Sequence, residues 1–380
     1  MRYFDSTPQL ALDTLARRST IGIPSHVSHF MEHSVIERLA GSPVGEYVRD
    51  PHGVYNKMLR NVGVCMLDQY LADNPLTMGA HGYEHGGFNA TTGLEVALDG
   101  ITIDSPDAVA EHLERFQLPA LEKRIKTFNK EELKQKITLQ MSQQAQLLGE
   151  TILSAGYGHI SFPTLMYHKY GYVPFLESFA LYPKLWEKHF ALQARYATLH
   201  NRVVADTYRE NEYPLFQRLD HDMADSRSTL VSIKSLEELW FPHFISAIQP
   251  ALDSGFKLIW HCDGNLSAMV PLLLEAGLCG FQGFQYEDGM DYAKICSLRT
   301  KSGESLLIQA GVSVTRTLPF GTPDDVVREM KFLVENGPRE GLFLGLSSSC
   351  VPGTPWANIK TFVEGLRYYC TNGREELWKN

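Results

Sequence analysis

The chain has 380 residues, of which 44% are hydrophobic and 21% charged, with a net charge of −9, an ordinary globular profile. A pI near 5.9 argues against a nucleic-acid-binding face, which needs a basic patch. No apolar run approaches the ~20 residues that span a bilayer, and Met1-Arg2-Tyr3-Phe4-Asp5 lacks the charged-then-apolar layout of a secretory leader, so a cytoplasmic location is expected.

Residues 1–60 read as an irregular and helical N-terminal extension, with a polar helix over Thr7 to Arg18. His26, His29 and His33 crowd together there. The His29/His33 spacing would align two imidazoles on one helical face, and a solvated or hydrogen-bonded face is the favoured reading. Val62 to Leu67 is an apolar run of strand length. The glycine-rich stretch from Met78 to Asn89 must be a loop, and its His81, Glu84 and His85 are placed to ligate metal, move protons or line a substrate pocket. The pattern is not HExxH, in which one helix presents both histidines. An ordinary turn is the competing reading.

Ser105-Pro106-Asp107 opens a helix to about Phe116, and Glu131 to Glu150 forms a longer one with Leu133, Ile137, Met141, Ala145 and Leu148 along one stripe. Ile152 to Ala155 and Ile160 to Phe162 read as strand pieces around Gly156-Tyr157-Gly158-His159, where Tyr157 and His159 are candidate substrate contacts. Pro174 to Arg209 is helical and broken near Pro183.

From residue 214 the rhythm is regular. Strands are expected over 215–223, 257–260, 279–285, 305–310 and 341–346, separated by helices. Ser235 with Glu238 reads as a capping box, and Thr322-Pro323 as an N-cap followed by an N1 proline. Such alternation implies a parallel sheet with right-handed crossovers. Adding less regular N-terminal strands predicts an α/β fold, a (β/α)8 TIM barrel occupying 1–380 as a single domain. An open doubly wound sheet is the alternative, but no GxGxxG loop follows a first strand.

Residues at the C-terminal ends of barrel strands face the active site. Strand 258–260 runs into His261-Cys262-Asp263-Gly264-Asn265, and strand 341–346 into Ser347-Ser348-Ser349-Cys350. His261, Asp263 and Cys350 are therefore expected at one spot. Adjacent strand residues point to opposite faces, so Cys262 is expected in the wall. The six cysteines (65, 262, 279, 296, 350 and 370) form no CxxC pair and read as buried free thiols. Asp222 and Asp225 are expected near substrate or behind a metal, Tyr286 and Glu287 at another strand end, and Arg316 as a fork for a carboxylate.

The order His261-Cys262-Asp263-Gly264-Asn265, Gly311-Val312, Gly321-Thr322-Pro323 and Cys350-Val351-Pro352 with Pro355-x-x-Asn358, preceded by Asp220-His221-Asp222-Met223, resembles the uroporphyrinogen decarboxylase superfamily. The branch it most resembles holds corrinoid-dependent methyltransferases, and the resemblance covers roughly residues 160–370. It implies a (β/α)8 barrel with zinc bound through His-x-Cys at one strand end and Cys at a later one. Carried over, the metal ligands are His261, Asp263 and Cys350, with Asp263 standing where the second ligand is usually Cys. A carboxylate oxygen is a feasible zinc ligand, although the site becomes harder.

The implied activity moves a methyl group between a small methyl donor or acceptor, such as a thiol, and methylcobalamin carried on a partner corrinoid protein. No corrinoid-binding Asp-x-His-x-x-Gly motif occurs in this chain. The decarboxylase's arginine-rich N-terminal signature is also absent; porphyrinogen carboxylates need such partners, so true uroporphyrinogen decarboxylation is not expected. The alternative is a metal-free decarboxylase or lyase acting on a small or tetrapyrrole-like carboxylated substrate. A non-catalytic ligand-binding barrel is a third reading, and pairing into a homodimer is open.

Overall fold

Five parallel strands, Phe216–Asp220, Lys257–His261, Gly280–Gln282, Leu307–Val312 and Leu342–Leu346, lie side by side in chain order. This computed structural model describes residues 7–27, 29–73, 96–283, 289–374 and 378. Neighbouring strands pair in a register that sets Asp220 beside His261, His261 beside Gln282, and Gln282 beside Gln309. Helices fill each connection, as parallel pairing requires. The helix Phe241–Asp253 shows why: Phe244, Ala247, Ile248 and Ala251 are buried at a helical spacing.

Backbone bonds extend the lateral order. Leu344 N donates to Pro24 O at 3.0 Å, Cys65 N to Ser25 O at 3.1 Å, and Leu153 N to Cys65 O at 2.9 Å. Strand Leu153–Ser154 pairs with Met66–Leu67, and Ser25 bridges Leu344 in parallel. No sheet is closed among the described residues. The helix Pro8–Leu15 packs Ala11 and Leu15 against Cys65, Phe216, Ile259, Leu307 and Phe343. These residues lie toward the N-terminal ends of the strands and make an apolar floor. The opposite ends carry polar side chains.

Several expectations hold. Pro183 separates the helices Tyr172–Leu181 and Pro183–Glu210, and Thr322 closes a capping box with Asp325. Others need correction. The run expected as a strand from Val62 is the end of a helix, Pro51–Val62, terminated by Gly63 at φ +87; only Met66–Leu67 is extended. His29 sits in the short strand His29–Phe30 and His33 begins a helix, so the two share no helical face. Ser232, not Ser235, caps the helix Ile233–Leu239, with its hydroxyl accepting from Ser235 N. Ile160 to Phe162 forms no strand. The misses at Val62 and at Ile160 to Phe162 lie where short-range apolarity is shared by helix and strand, and tertiary packing decides between them. Among the described residues, no helix is long and apolar enough to cross a membrane.

Candidate metal and substrate site

Alternation along strand 216–220 puts Arg218 and Asp220 on one face, next to Ile259 and His261. Arg218 is buried at 7% exposure, and its guanidinium is fully engaged. Nε donates to Asp68 Oδ2 at 2.7 Å, Nη1 to Asp220 Oδ2 at 3.1 Å and Nη2 to Gln69 Oε1 at 3.2 Å. The hydroxyl of Tyr157 donates to the same Asp220 Oδ2 at 2.6 Å. Asp220 is thus gripped through one oxygen, while Oδ1 faces His261 Nε2 at 3.9 Å. Burial opposes ionisation of Asp68, yet the charge and hydrogen bond of Arg218 hold its carboxyl below the usual range. Asp220 follows the same logic: burial raises it, and His261 and Arg218 outweigh that.

Ligand atoms of Asp220, Asp222 and His261 all lie within 4.8 Å of one another. Asp222 Oδ1 accepts from Asp263 N at 2.7 Å. Asp263 Oδ1 stands 4.0 Å from His261 Nε2, and Ser348 Oγ donates to Asp263 Oδ2 at 3.5 Å. Burial raises the Asp263 carboxyl, and the charges of Asp222 and Asp220 add to that against the pull of His261. His261 Nδ1 and Asp263 Oδ1 are buried without a hydrogen-bond partner among the described residues. Buried polar atoms are normally satisfied. Gly283 allows His261 its place: a Cβ there would come within 2.5 Å of Nδ1, at a φ of +82. A set of two carboxylates and one imidazole fits zinc, which takes oxygen and nitrogen donors. It is harder than a thiolate set.

The structure brings His261, Asp263 and Asp222 together. Cys350 lies in the strand Ser349–Cys350 paired with His29–Phe30, and the metal-capable group among the described residues is Asp220, Asp222 and His261. Burial pushes its thiol up to about 11. Tyr157 reaches the cluster through Asp220. His159 points behind it, its Nδ1 2.7 Å from Tyr208 Oη, and burial lowers its pKa to about 4. Arg316 is exposed at the start of the helix Thr317–Phe320, where its backbone N donates to Ser313 Oγ at 3.1 Å. Asp225 pairs with Arg227 at 2.9 Å on the surface. Cys262 is buried in the main core cluster, its sulfur 3.2 Å from Met223 N. His81, Glu84, His85, Tyr286 and Glu287 lie outside the described residues.

Arg218, Asp220 and Asp68 were not singled out as site residues. The signal available was Arg218-x-Asp220, two charges two positions apart in a strand, which must share one face. His221, between Asp220 and Asp222, faces the other way: its Nε2 accepts from Leu165 N at 2.9 Å, and burial lowers its pKa to about 3. A cavity of about 670 Å³ reaches Asp220, with Arg124, Lys136, Tyr196 and His200 among its lining residues. The Arg124 guanidinium stacks 4.2 Å over the Tyr196 ring.

No family model and no curated protein matches the sequence. Among solved structures the chain is similar to a methyltransferase from Methanosarcina mazei, at 14% identity and a TM-score of 0.56, over 97% of this chain and 99% of that one. It is also similar to a Listeria monocytogenes protein named for vitamin-B12-independent methionine synthase, at 10% identity and a TM-score of 0.43, over 94% of this chain and 99% of that one. The first is a likeness of fold across nearly the whole chain.

Proposed function

We propose that this chain is a methyltransferase of the uroporphyrinogen decarboxylase-like superfamily that works with zinc held at its strand ends. The observation that carries the reading is the gathering of Asp220, Asp222 and His261 within 4.8 Å, beside two orphaned buried atoms, at the strand ends where such folds place their chemistry. The scaffold is read as a single-domain (β/α)8 barrel. Its eight positions are 153–154, 66–67, 25, 342–346, 307–312, 280–282, 257–261 and 216–220, with the seam between the first and last.

Bound zinc would act as a Lewis acid on a methoxy oxygen or a thiol of the substrate. The chain's own residues do the rest. Tyr157 and Arg218 fix Asp220, and the backbone N of Asp263 fixes Asp222. Asp263, its carboxyl raised by burial, is placed to hold a proton for the atom that gains or loses the methyl group. The cavity bordering Asp220 is lined by Arg124, Lys136 and Glu132, and Asp222, His261 and Asp263 do not line it. The methyl carrier is a corrinoid on a separate protein.

Metal analysis of protein purified without chelators tests this reading. We expect about one zinc per chain, lost in Asp222→Asn and His261→Ala and retained in Cys350→Ser. Methyl transfer from methylcobalamin should require the zinc-loaded protein. Zinc-free protein with undiminished methyl transfer sinks the proposal. The raised carboxyl of Asp263 beside His261 favours a second reading, a metal-free lyase, which predicts decarboxylation by chelator-treated protein.

A further inference from the structure

We propose that Cys65 and Cys370 form a reversible, peroxide-sensitive disulfide site in the floor of the fold, away from the metal cluster. Their sulfurs lie 3.6 Å apart although the residues are 305 positions apart in sequence. Cys65 precedes the strand Met66–Leu67, and Cys370 stands near the end of the helix Trp356–Asn372. Both belong to the apolar cluster under the helix Pro8–Leu15. Cys65 is fully buried and Cys370 is 8% exposed, so an oxidant reaches Cys65 only when the floor opens locally.

The two sulfurs are chemically unequal. The contact with Cys370 draws the Cys65 thiol below the ordinary thiol range, with burial opposing, and Ser25 adds to the lowering. Ser25 Oγ donates to Gly63 O and lies 3.7 Å from Cys65 Sγ. The same contact raises Cys370, and either sulfur can be its donor. Burial raises Cys262, Cys279, Cys296 and Cys350 instead. With Cys65 as the attacking sulfur and Cys370 as the resolving one, or with the roles exchanged, the same disulfide forms.

The step balances. Cys65 thiolate attacks one peroxide oxygen, an S–O bond forms, the O–O bond breaks, and the departing hydroxide takes a proton to leave as water. The Cys370 sulfur then attacks the Cys65 sulfur, the S–S bond forms and the S–O bond breaks. The second hydroxide leaves as water with the proton from Cys370. Two thiols are oxidised and one peroxide is reduced to two waters. A small dithiol reverses the change by exchange. The crosslink ties the last helix to a wall strand, and neither sulfur touches the cluster at Asp220.

Folded full-length chain is treated with hydrogen peroxide, quenched and mapped by mass spectrometry without reduction. The expected result is loss of two of the six thiols, a peptide linking 65 to 370, and recovery of all six with dithiothreitol. Cys370→Ser should leave a sulfenic acid at Cys65 that dimedone traps. The urea-unfolded chain should show scattered pairing. The proposal is overturned if wild-type protein loses thiols without the linked peptide, if the loss is spread over the other four cysteines, or if the crosslinks join separate chains. None of these readouts depends on zinc or on methyl transfer.

Discussion

The Tyr157 hydroxyl holds the Asp220 carboxylate by a 2.6 Å hydrogen bond on Oδ2, leaving Oδ1 toward His261. A bond that orients a metal ligand is worth roughly 10-fold to 100-fold in metal affinity. Tyr157→Phe should weaken zinc binding by that factor, measured by competition with a chromogenic chelator, with the circular dichroism unchanged. Unaltered affinity would remove Tyr157 from the site.

Arg218 and Asp68 make a buried ion pair at 2.7 Å, with side-chain exposures of 7% and 13%. Removing one partner strands a buried charge at a cost of about 3–5 kcal/mol. Arg218→Met should lower the urea stability by that order, and adding Asp68→Asn should restore part of it. An additive double mutant would show that the pair is not coupled.

Gly283 abuts His261. Gly283→Ala must accept a φ of +82 and a Cβ 2.5 Å from Nδ1, so His261 is expected to move and zinc affinity to fall. The comparison is Gly303→Ala, where φ is +85 and nothing lies within 4 Å. That change should cost only the ~1–2 kcal/mol of a left-handed backbone and leave zinc binding intact. Equal zinc loss in both variants would contradict the steric account.

Glu329 carries a pH prediction clear of the proposed metal ligands. Burial raises its pKa from 4.5 to about 8, with the hydrogen bond from Ser313 N opposing. The folded state therefore binds this proton more tightly than the unfolded state. Its contribution to stability is complete below 4.5 and lost as pH rises through about 8. The loss is at most about 1.4 kcal/mol per pH unit across that window. Glu329→Gln should flatten the pH dependence of the urea midpoint relative to wild type. Parallel curves for the two proteins would show that Glu329 titrates normally.

Much of the fold was legible in local signals. Thr322-Pro323 announces a helix start because its cap needs neighbours only three residues away. Strands 257–261 and 342–346 announce themselves as short apolar runs between turns. His261 and Asp263 were readable as candidate site residues because they stand at a strand end in chain order. The N-terminal third was less legible, since Met66–Leu67 and His29–Phe30 are too short for any period to show.

What the sequence by itself determined is which residues begin, fill and end most elements from residue 214 onward, because periodicity and capping act within a few residues. Only the tertiary structure decided which side chains converge. Strand register sets Asp220 beside His261, a contact across 150 positions places Asp68 on Arg218, and Cys350 is paired with Phe30. Convergence depends on how distant strands align side by side, and a change of one residue in register would turn every one of these side chains to the other face.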